Sequence, residues 1–250
     1  MSEGRRPVTP TPMRAAIARR MAQSKREAPH FYVSTEVELD ELLAVAATMN
    51  RDRTREERLT VTAFLVRAVA LTLAAHEAFN ATWNGETLEL VEAINIGVAI
   101  AVDDGLIAPA ILDCADLSIE TIGERLRDLV ARSRTGRLRA AEINDPTFTL
   151  SNLGMFDVSA FTAIVTPPQV AILATAKTEP RPVVRDGQIV VRQVMTATLS
   201  ADHRAVDGAA AARFLGDLKA RLQAPGAWAE AAPPLAQPSA TQPVGPAATS

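Results

Sequence analysis

The segment Asp202-His203-Arg204-Ala205-Val206-Asp207-Gly208 follows a strand-like run and opens a helix, so it sets an imidazole at an abrupt strand-to-helix junction. Such junctions are common places for functional side chains. An imidazole can act as a general base near neutral pH, and two carboxylates and a guanidinium within a few residues could fix its orientation and tautomer. The same residues also suit a plain turn in which Asp207 only caps the helix. On physical grounds alone the two readings stand level. A second segment, Thr149-Leu150-Ser151-Asn152-Leu153-Gly154-Met155-Phe156, ends a strand in a hydroxyl and an amide at a loop mouth, where either could donate to an oxyanion. Ser-Asn after a strand is also ordinary turn chemistry. The G-x-S-x-G frame is missing, so a serine nucleophile is not indicated.

The other reactive groups are few. There is one Cys (Cys114), one Tyr (Tyr32) and two further His, His30 and His76. A single Cys forms no internal disulfide and no multi-cysteine zinc or iron–sulfur site, and no His-x-x-x-His pair occurs, so no metal is expected. His30 follows Pro29 at a strand start, and His76 ends a helix where an imidazolium suits the macrodipole; both read as structural. The net charge of −3 supplies no strong field for nucleic acid or an anionic membrane. Residues 68–75 and 94–102, the longest apolar stretches, fall short of the roughly 20 needed to span a bilayer. Residues 1–14 lack the apolar run of a secretory signal. No nucleic-acid or membrane partner is expected, and the expected location is cytoplasmic.

These groups need elements to hold them. Thr11 with Pro12 marks a helix start, with Ile17 and Met21 on one face. Residues 31–39 alternate as a strand. Asp40 is expected to cap a helix reaching about residue 53, and Thr60 another over residues 61–76, apolar over most of its circumference. Residues 94–102 (INIGVAIAV) read as one long apolar strand with a bulge at Gly97. Residues 118–133 form an amphipathic helix stopped by Gly136. Residues 147–152, 170–176 and 189–200 are further strands, with Asp186-Gly187 as a hairpin turn, and Asp207 caps a last helix to about residue 222. The order predicts an α/β two-layer sandwich with a mixed sheet. Proline clusters at both ends, which divides the chain into an N-terminal arm (1–12), one domain (13–224) and a Pro/Ala-rich tail (225–250) expected to be disordered.

Together the two chemical segments resemble the catalytic domain of the dihydrolipoamide acyltransferase components of 2-oxo acid dehydrogenase complexes. The family's Asp-His-Arg-x-x-Asp-Gly motif stands at 202–208, and its Ser-Asn-Leu-Gly-Met-Phe segment with a later Pro-Pro-Gln at 151–156 and 167–169. Further stretches match in family order: Pro29-His30-Phe31-Tyr32, Asn80-Ala81-Thr82-Trp83, Ile96-Gly97-Val98-Ala99, and Asp104-Gly105-Leu106-Ile107 with Pro109. The resemblance spans residues 13–222. The chloramphenicol acetyltransferases share the His-x-x-x-Asp-Gly core, but Arg204 and the Ser-Asn-Leu-Gly-Met-Phe wording favour the first family.

By this resemblance the fold is chloramphenicol acetyltransferase-like and trimeric, with each active site in a channel between subunits. His203 is then the general base toward a thiol of coenzyme A or dihydrolipoyl, and Ser151 from the adjacent chain stabilises the oxyanion. Asp207 holds the active-site loop through an ion pair with Arg204 or Arg14, and Asn152 and Arg204 contact the coenzyme. The resemblance implies acyl transfer, with acetyl favoured, between dihydrolipoyl and coenzyme A. The lipoyl group arrives on a domain of another chain, and the partners are the other complex subunits, with trimers extending to a larger core in relatives. Alternatives are acyl transfer from acyl-coenzyme A to a small alcohol or amine, and a non-catalytic trimeric core subunit. Asp157 and Ser159 depart from the family's usual Gly and Lys.

Overall fold

The computed structural model describes residues 6–102 and 105–229. Helix α1 (Pro12–Glu27) begins where the sequence places it, with the Thr11 hydroxyl accepting from Arg14 N–H at 3.2 Å. Strand β1 (His30–Glu38) leads into α2 (Asp40–Met49) and α3 (Val61–Leu73). Thr60 caps α3 as expected. Both α2 and α3 end earlier than their patterns suggest. Asp40 is the first residue of α2 and not its cap; its carboxylate instead accepts from Gln193 N–H at 3.1 Å, tying the helix start to a neighbouring strand.

The hairpin β2 (Ala81–Trp83) and β3 (Leu88–Leu90) follows, then β4 (Ile96–Val98), β5 (Ile100–Val102), β6 (Gly105–Ile107) and β7 (Ala110–Ile111). Helix α4 (Ile119–Arg134) is capped by Ser118, and the short α5 (Ala140–Asn144) precedes β8 (Phe148–Asn152). Strands β9 (Ala171–Arg185) and β10 (Gln188–Asp202) form a long hairpin. Asp186 and Gly187 turn it with φ of 51° and 76°, the left-handed pair that a two-residue hairpin loop requires. Helix α6 (Gly208–Gln223) closes the domain.

Six strands make one mixed sheet in the order β1-β10-β9-β8-β4-β7, parallel at β9/β8 and β8/β4 and antiparallel elsewhere. One face carries Ile96, Phe148, Leu150, Leu173 and Leu199 into the core beneath α3, α4 and α6. The predicted two-layer α/β sandwich is therefore the observed one. Alternation turns Thr149 and Ser151 to the opposite face. There, Ser34, Thr198, Ala174 and Ser151 form one continuous row across four strands. Between Thr178↔Met195 and Thr175↔Ala197 the register shifts, so that Ala176 and Lys177 together oppose Thr196 as a β-bulge.

The expected single strand over residues 94–102 is two. β4 belongs to the main sheet, and at Ala99 the chain leaves it so that β5 pairs with β6 instead. Hydrophobic periodicity does not register a change of partner. Gly97 marks no bulge. A Cβ there would lie 2.9 Å from the Ala108 carbonyl oxygen and 3.4 Å from Thr149 Oγ1, so a glycine is needed for backbone approach. Gly97→Ala is expected to cost about 1–3 kcal/mol as overpacking, measured by urea unfolding.

The domain also runs beyond the proline-based boundary. Pro225–Ala227 forms a 3-10 turn, and Trp228 and Ala229 are buried in the core. Trp228 Nε1–H donates to the Arg221 carbonyl at 2.9 Å, and its ring meets Phe64 edge-on at 6.5 Å. Asp104, the first five residues and the rest of the Pro/Ala tail lie outside the described residues. Among the described residues no helix is long and apolar enough to cross a membrane.

Candidate active site

At the end of β10 the chain turns sharply. The Asp202 carbonyl accepts from Ala205 N–H at 3.0 Å and Val206 N–H at 3.2 Å. His203 N–H donates to the Pro29 carbonyl at 3.0 Å, fixing this turn to the start of β1. The exposed imidazole packs against Phe31, with ring centres 4.8 Å apart. Among the described residues it makes no side-chain hydrogen bond.

The neighbouring charges, expected to orient that imidazole, are engaged elsewhere. The buried Asp202 carboxylate takes the Arg204 guanidinium in a fork, Nε at 3.0 Å and Nη2 at 2.6 Å, and also accepts from Arg204 N–H. Asp207 caps α6 by accepting from Ala210 N–H at 2.7 Å. The backbone N–H groups of Ala210 and Ala209 hold its carboxyl below the ordinary carboxylate range, helped by the positive Arg213 and by His203. The expected ion pair of Asp207 with Arg204 or Arg14 does not form in this chain. Arg204 sits two residues from a better-placed acid, and Arg14 lies beside Gly105.

Ser151 stands on the far side of the sheet face. It is buried, and its hydroxyl makes no hydrogen bond among the described residues. It opens into a cavity of about 740 Å³ with largely apolar walls, including Ile17 and Met21 of α1, Leu106, Phe156 and Phe161. Asn152 also lines it, but its amide is committed: Nδ2–H donates to Thr62 Oγ1 at 2.9 Å, and Oδ1 accepts from Gly154 N–H at 2.8 Å. Asn152 thus shapes the loop beside Ser151. Thr62 sends no signal in the sequence, because its partner is 90 positions away.

The 153–169 loop that walls the cavity is tethered from several sides. Asp157 pairs with Lys177 of the bulge at 2.6 Å, Ser24 Oγ–H donates to the Val165 carbonyl at 2.6 Å, and Arg20 donates to the Pro167 carbonyl at 2.6 Å. Lys177 holds the Asp157 carboxyl below its ordinary range. Asp157, one of the two departures from the family pattern, is thereby a loop tether, while Ser159 is exposed.

His30 takes the strand-start place expected of it, whereas His76, expected to end a helix, lies three residues past the end of α3 at the start of the 3-10 turn Glu77–Phe79 and is structural through a different contact. His30 Nδ1 faces the Ala28 carbonyl at 2.8 Å and Nε2 faces Val165 N–H at 3.0 Å. A carbonyl only accepts and an N–H only donates, so the ring is the neutral Nδ1–H tautomer. His76 bridges to Asp217 of α6 at 2.7 Å. Burial pushes the Cys114 thiol up to about 12, which keeps it protonated and removes it as a nucleophile. Among the described residues no cluster of His, Cys, Asp and Glu could hold a metal ion.

His203 and Ser151 are not brought together in one chain. Ser151 lies in the row of Thr198, two strands away from β10, and Asp202 lies four residues further along that strand. Strand spacing and rise put the Ser151 and Asp202 backbones about 17 Å apart, beyond the combined reach of a serine and a histidine.

The family model of the 2-oxoacid dehydrogenases acyltransferase catalytic domain matches residues 3–229. The chain is 33% identical over 215 residues to the dihydrolipoyllysine-residue acetyltransferase component of the pyruvate dehydrogenase complex of Rickettsia felis. That match takes in 85% of this chain and 52% of the relative, so the chain spans about half the length of the curated relatives it matches. Among solved structures it resembles a probable dihydrolipoamide acetyltransferase of Listeria monocytogenes, at TM-score 0.83 and 34% identity over 89% of this chain and 96% of that one. It also resembles the cubic core of a pyruvate dehydrogenase multienzyme complex, at TM-score 0.85 and 30% identity over 89% and 93%. A chloramphenicol acetyltransferase superposes at TM-score 0.56 with 13% identity over 82% and 94%, a likeness of fold alone.

Proposed function

Because the chain belongs to the 2-oxoacid dehydrogenases acyltransferase family by its catalytic domain, we propose that it moves an acetyl group between dihydrolipoyl and coenzyme A. His203 takes the proton of the coenzyme A thiol, and the thiolate attacks the carbonyl carbon of S-acetyldihydrolipoyl. Ser151 O–H donates to the oxyanion of the tetrahedral intermediate. Collapse breaks the bond to the lipoyl sulfur, which leaves as a thiolate and receives the proton from His203. A free thiol is only a few per cent ionised at neutral pH, so a base placed beside it raises the share of thiolate available for attack. The two reacting thiols belong to the substrates, in keeping with a protein whose one thiol is buried and protonated.

The observation that carries this reading is the separation of two uncommitted groups, the His203 ring and the Ser151 hydroxyl. Each is presented at a different place on one chain, so a complete site takes His203 from one subunit and Ser151 from the next. We place that site in a homotrimer, with the cavity beside Ser151 receiving the slender, largely apolar pantetheine arm of coenzyme A. The acyl donor is a lipoyl group of a cytoplasmic 2-oxo acid dehydrogenase complex. Purified protein is expected to form acetyl-coenzyme A from S-acetyldihydrolipoamide and coenzyme A, followed by chromatography of the product. Turnover of acetyl-coenzyme A with small alcohols or amines, and none with dihydrolipoamide, would favour the antibiotic-modifying type of chemistry instead.

A further inference from the structure

Three side chains beside His203 have no part in the steps above. The Asp202 carboxylate is 2% exposed, and at that burial a charge needs a close partner. Arg204 supplies it through two side-chain nitrogens and its own backbone N–H, a planar fork that a lysine does not reproduce. The guanidinium then lies 5.1 Å from the ring centre of Trp83. The backbone N–H of Trp83 donates to the Pro168 carbonyl at 3.0 Å, and Thr82 bridges Gln169. Gln169 is buried and bonded to Thr149 Oγ1 at 2.6 Å, two residues before Ser151. The turn that presents His203 is therefore bolted through Arg204 and Trp83 to the loop walling the Ser151 cavity.

We propose that Arg204 is a positioning residue for His203, holding the turn from which the base projects, and not a ligand of coenzyme A. The inference rests on the reading of His203 as the base. Its ground is that Nε and Nη2 of Arg204 are taken by Asp202 while the guanidinium carbon lies over the Trp83 ring, 5.1 Å from its centre, which leaves the group poorly placed to seize a phosphate. Asp207 and Glu27 are further charges near this turn, toward His203 and Arg204 respectively.

Steady-state kinetics of the full chain separate the two roles. Arg204→Met is expected to lower kcat about 10- to 100-fold, the scale of a misplaced catalytic group, with KM for coenzyme A within about twofold of wild type. Arg204→Lys is expected to rescue little, since it lacks the fork. The double variant with Asp202→Asn is expected to be no worse than Arg204→Met, because the two act as one unit. A KM for coenzyme A raised about tenfold or more at unchanged kcat overturns the proposal and makes Arg204 a coenzyme contact. Should Arg204→Met fail to fold, Trp83→Leu, which removes the stacking face and leaves the fork, is expected to lower kcat with the same unchanged KM. Nitrogen-15 spectra of the three histidines give a readout that needs no activity. The His203 ring signals, assigned by their loss in His203→Ala, are expected to move in Arg204→Met while those of His30 and His76 stay. Unmoved His203 signals overturn the proposal. A wild type that transfers no acetyl group sinks the functional reading, while the ring signals still decide the role of Arg204.

Discussion

Replacing His203 by alanine is expected to lower acetyl transfer about 100- to 10,000-fold, the usual worth of a positioned general base, with the fold retained because the exposed ring makes no side-chain hydrogen bond among the described residues and packs only on Phe31 among aromatic rings. Ser151→Ala is expected to cost about 100- to 1,000-fold, the loss of one oxyanion donor. The stronger result comes from mixing. Chains with intact Ser151 but no His203, refolded together with chains of the opposite defect, are expected to regain activity, because some interfaces then join an intact serine to an intact histidine. Random equal mixing in a head-to-tail ring makes about a quarter of the sites complete. The measurement is specific activity of the co-refolded mixture against each variant refolded alone. Absence of any recovery would place both groups in one chain and contradict the separation set by the strand register.

Trp228→Ala is expected to destabilise the domain by about 3–5 kcal/mol, as loss of a buried tryptophan usually does. The residue is 7% exposed; its ring packs on Phe64 in the first turn of α3 and donates to the Arg221 carbonyl near the end of α6. Truncation opens a void and removes one of two donors to that carbonyl, which keeps only the Ala224 N–H at 3.1 Å. For a domain of this size the loss corresponds to a melting temperature lower by about 6–20 °C, read by scanning calorimetry. A change of less than 1 °C would mean that the segment from Pro225 to Ala229 is no part of the cooperative unit, as the proline pattern suggested.

The comparison of these two residues shows what the sequence discloses and what it hides. Features set by near neighbours were legible: Thr11, Thr60 and Asp207 each cap the helix expected, because a cap is a contact over three positions, while Ser118, read as the first helical residue, turned out to be the cap of α4. Asp186-Gly187 was legible for the same reason. Features set by distant partners were not. Residues 94–102 look uniform as a string, yet their halves answer to different sheets. Trp228 follows a proline and precedes a low-complexity stretch, so composition hid a core residue. At the site, the residue types were readable, but not that Asp202 would take Arg204 for itself and leave the imidazole without a carboxylate partner. Nor could spacing reveal that 52 positions along the chain, from Ser151 to His203, span two strands and lead away from each other.

The bulge in β9 separates two properties that would otherwise change together. Thr175 pairs with Ala197 and Thr178 with Met195 whether one residue or two stand opposite Thr196. Loss of a single residue at 176–177 would leave both pairings in phase, so a lineage could shed it without re-registering the hairpin. Where the residue lost is Lys177, the ion pair that holds Asp157 goes with it, and so does one anchor of the loop around the Ser151 cavity. Chain length at this one site thus sets how tightly the loop is held without altering the pairing of the hairpin.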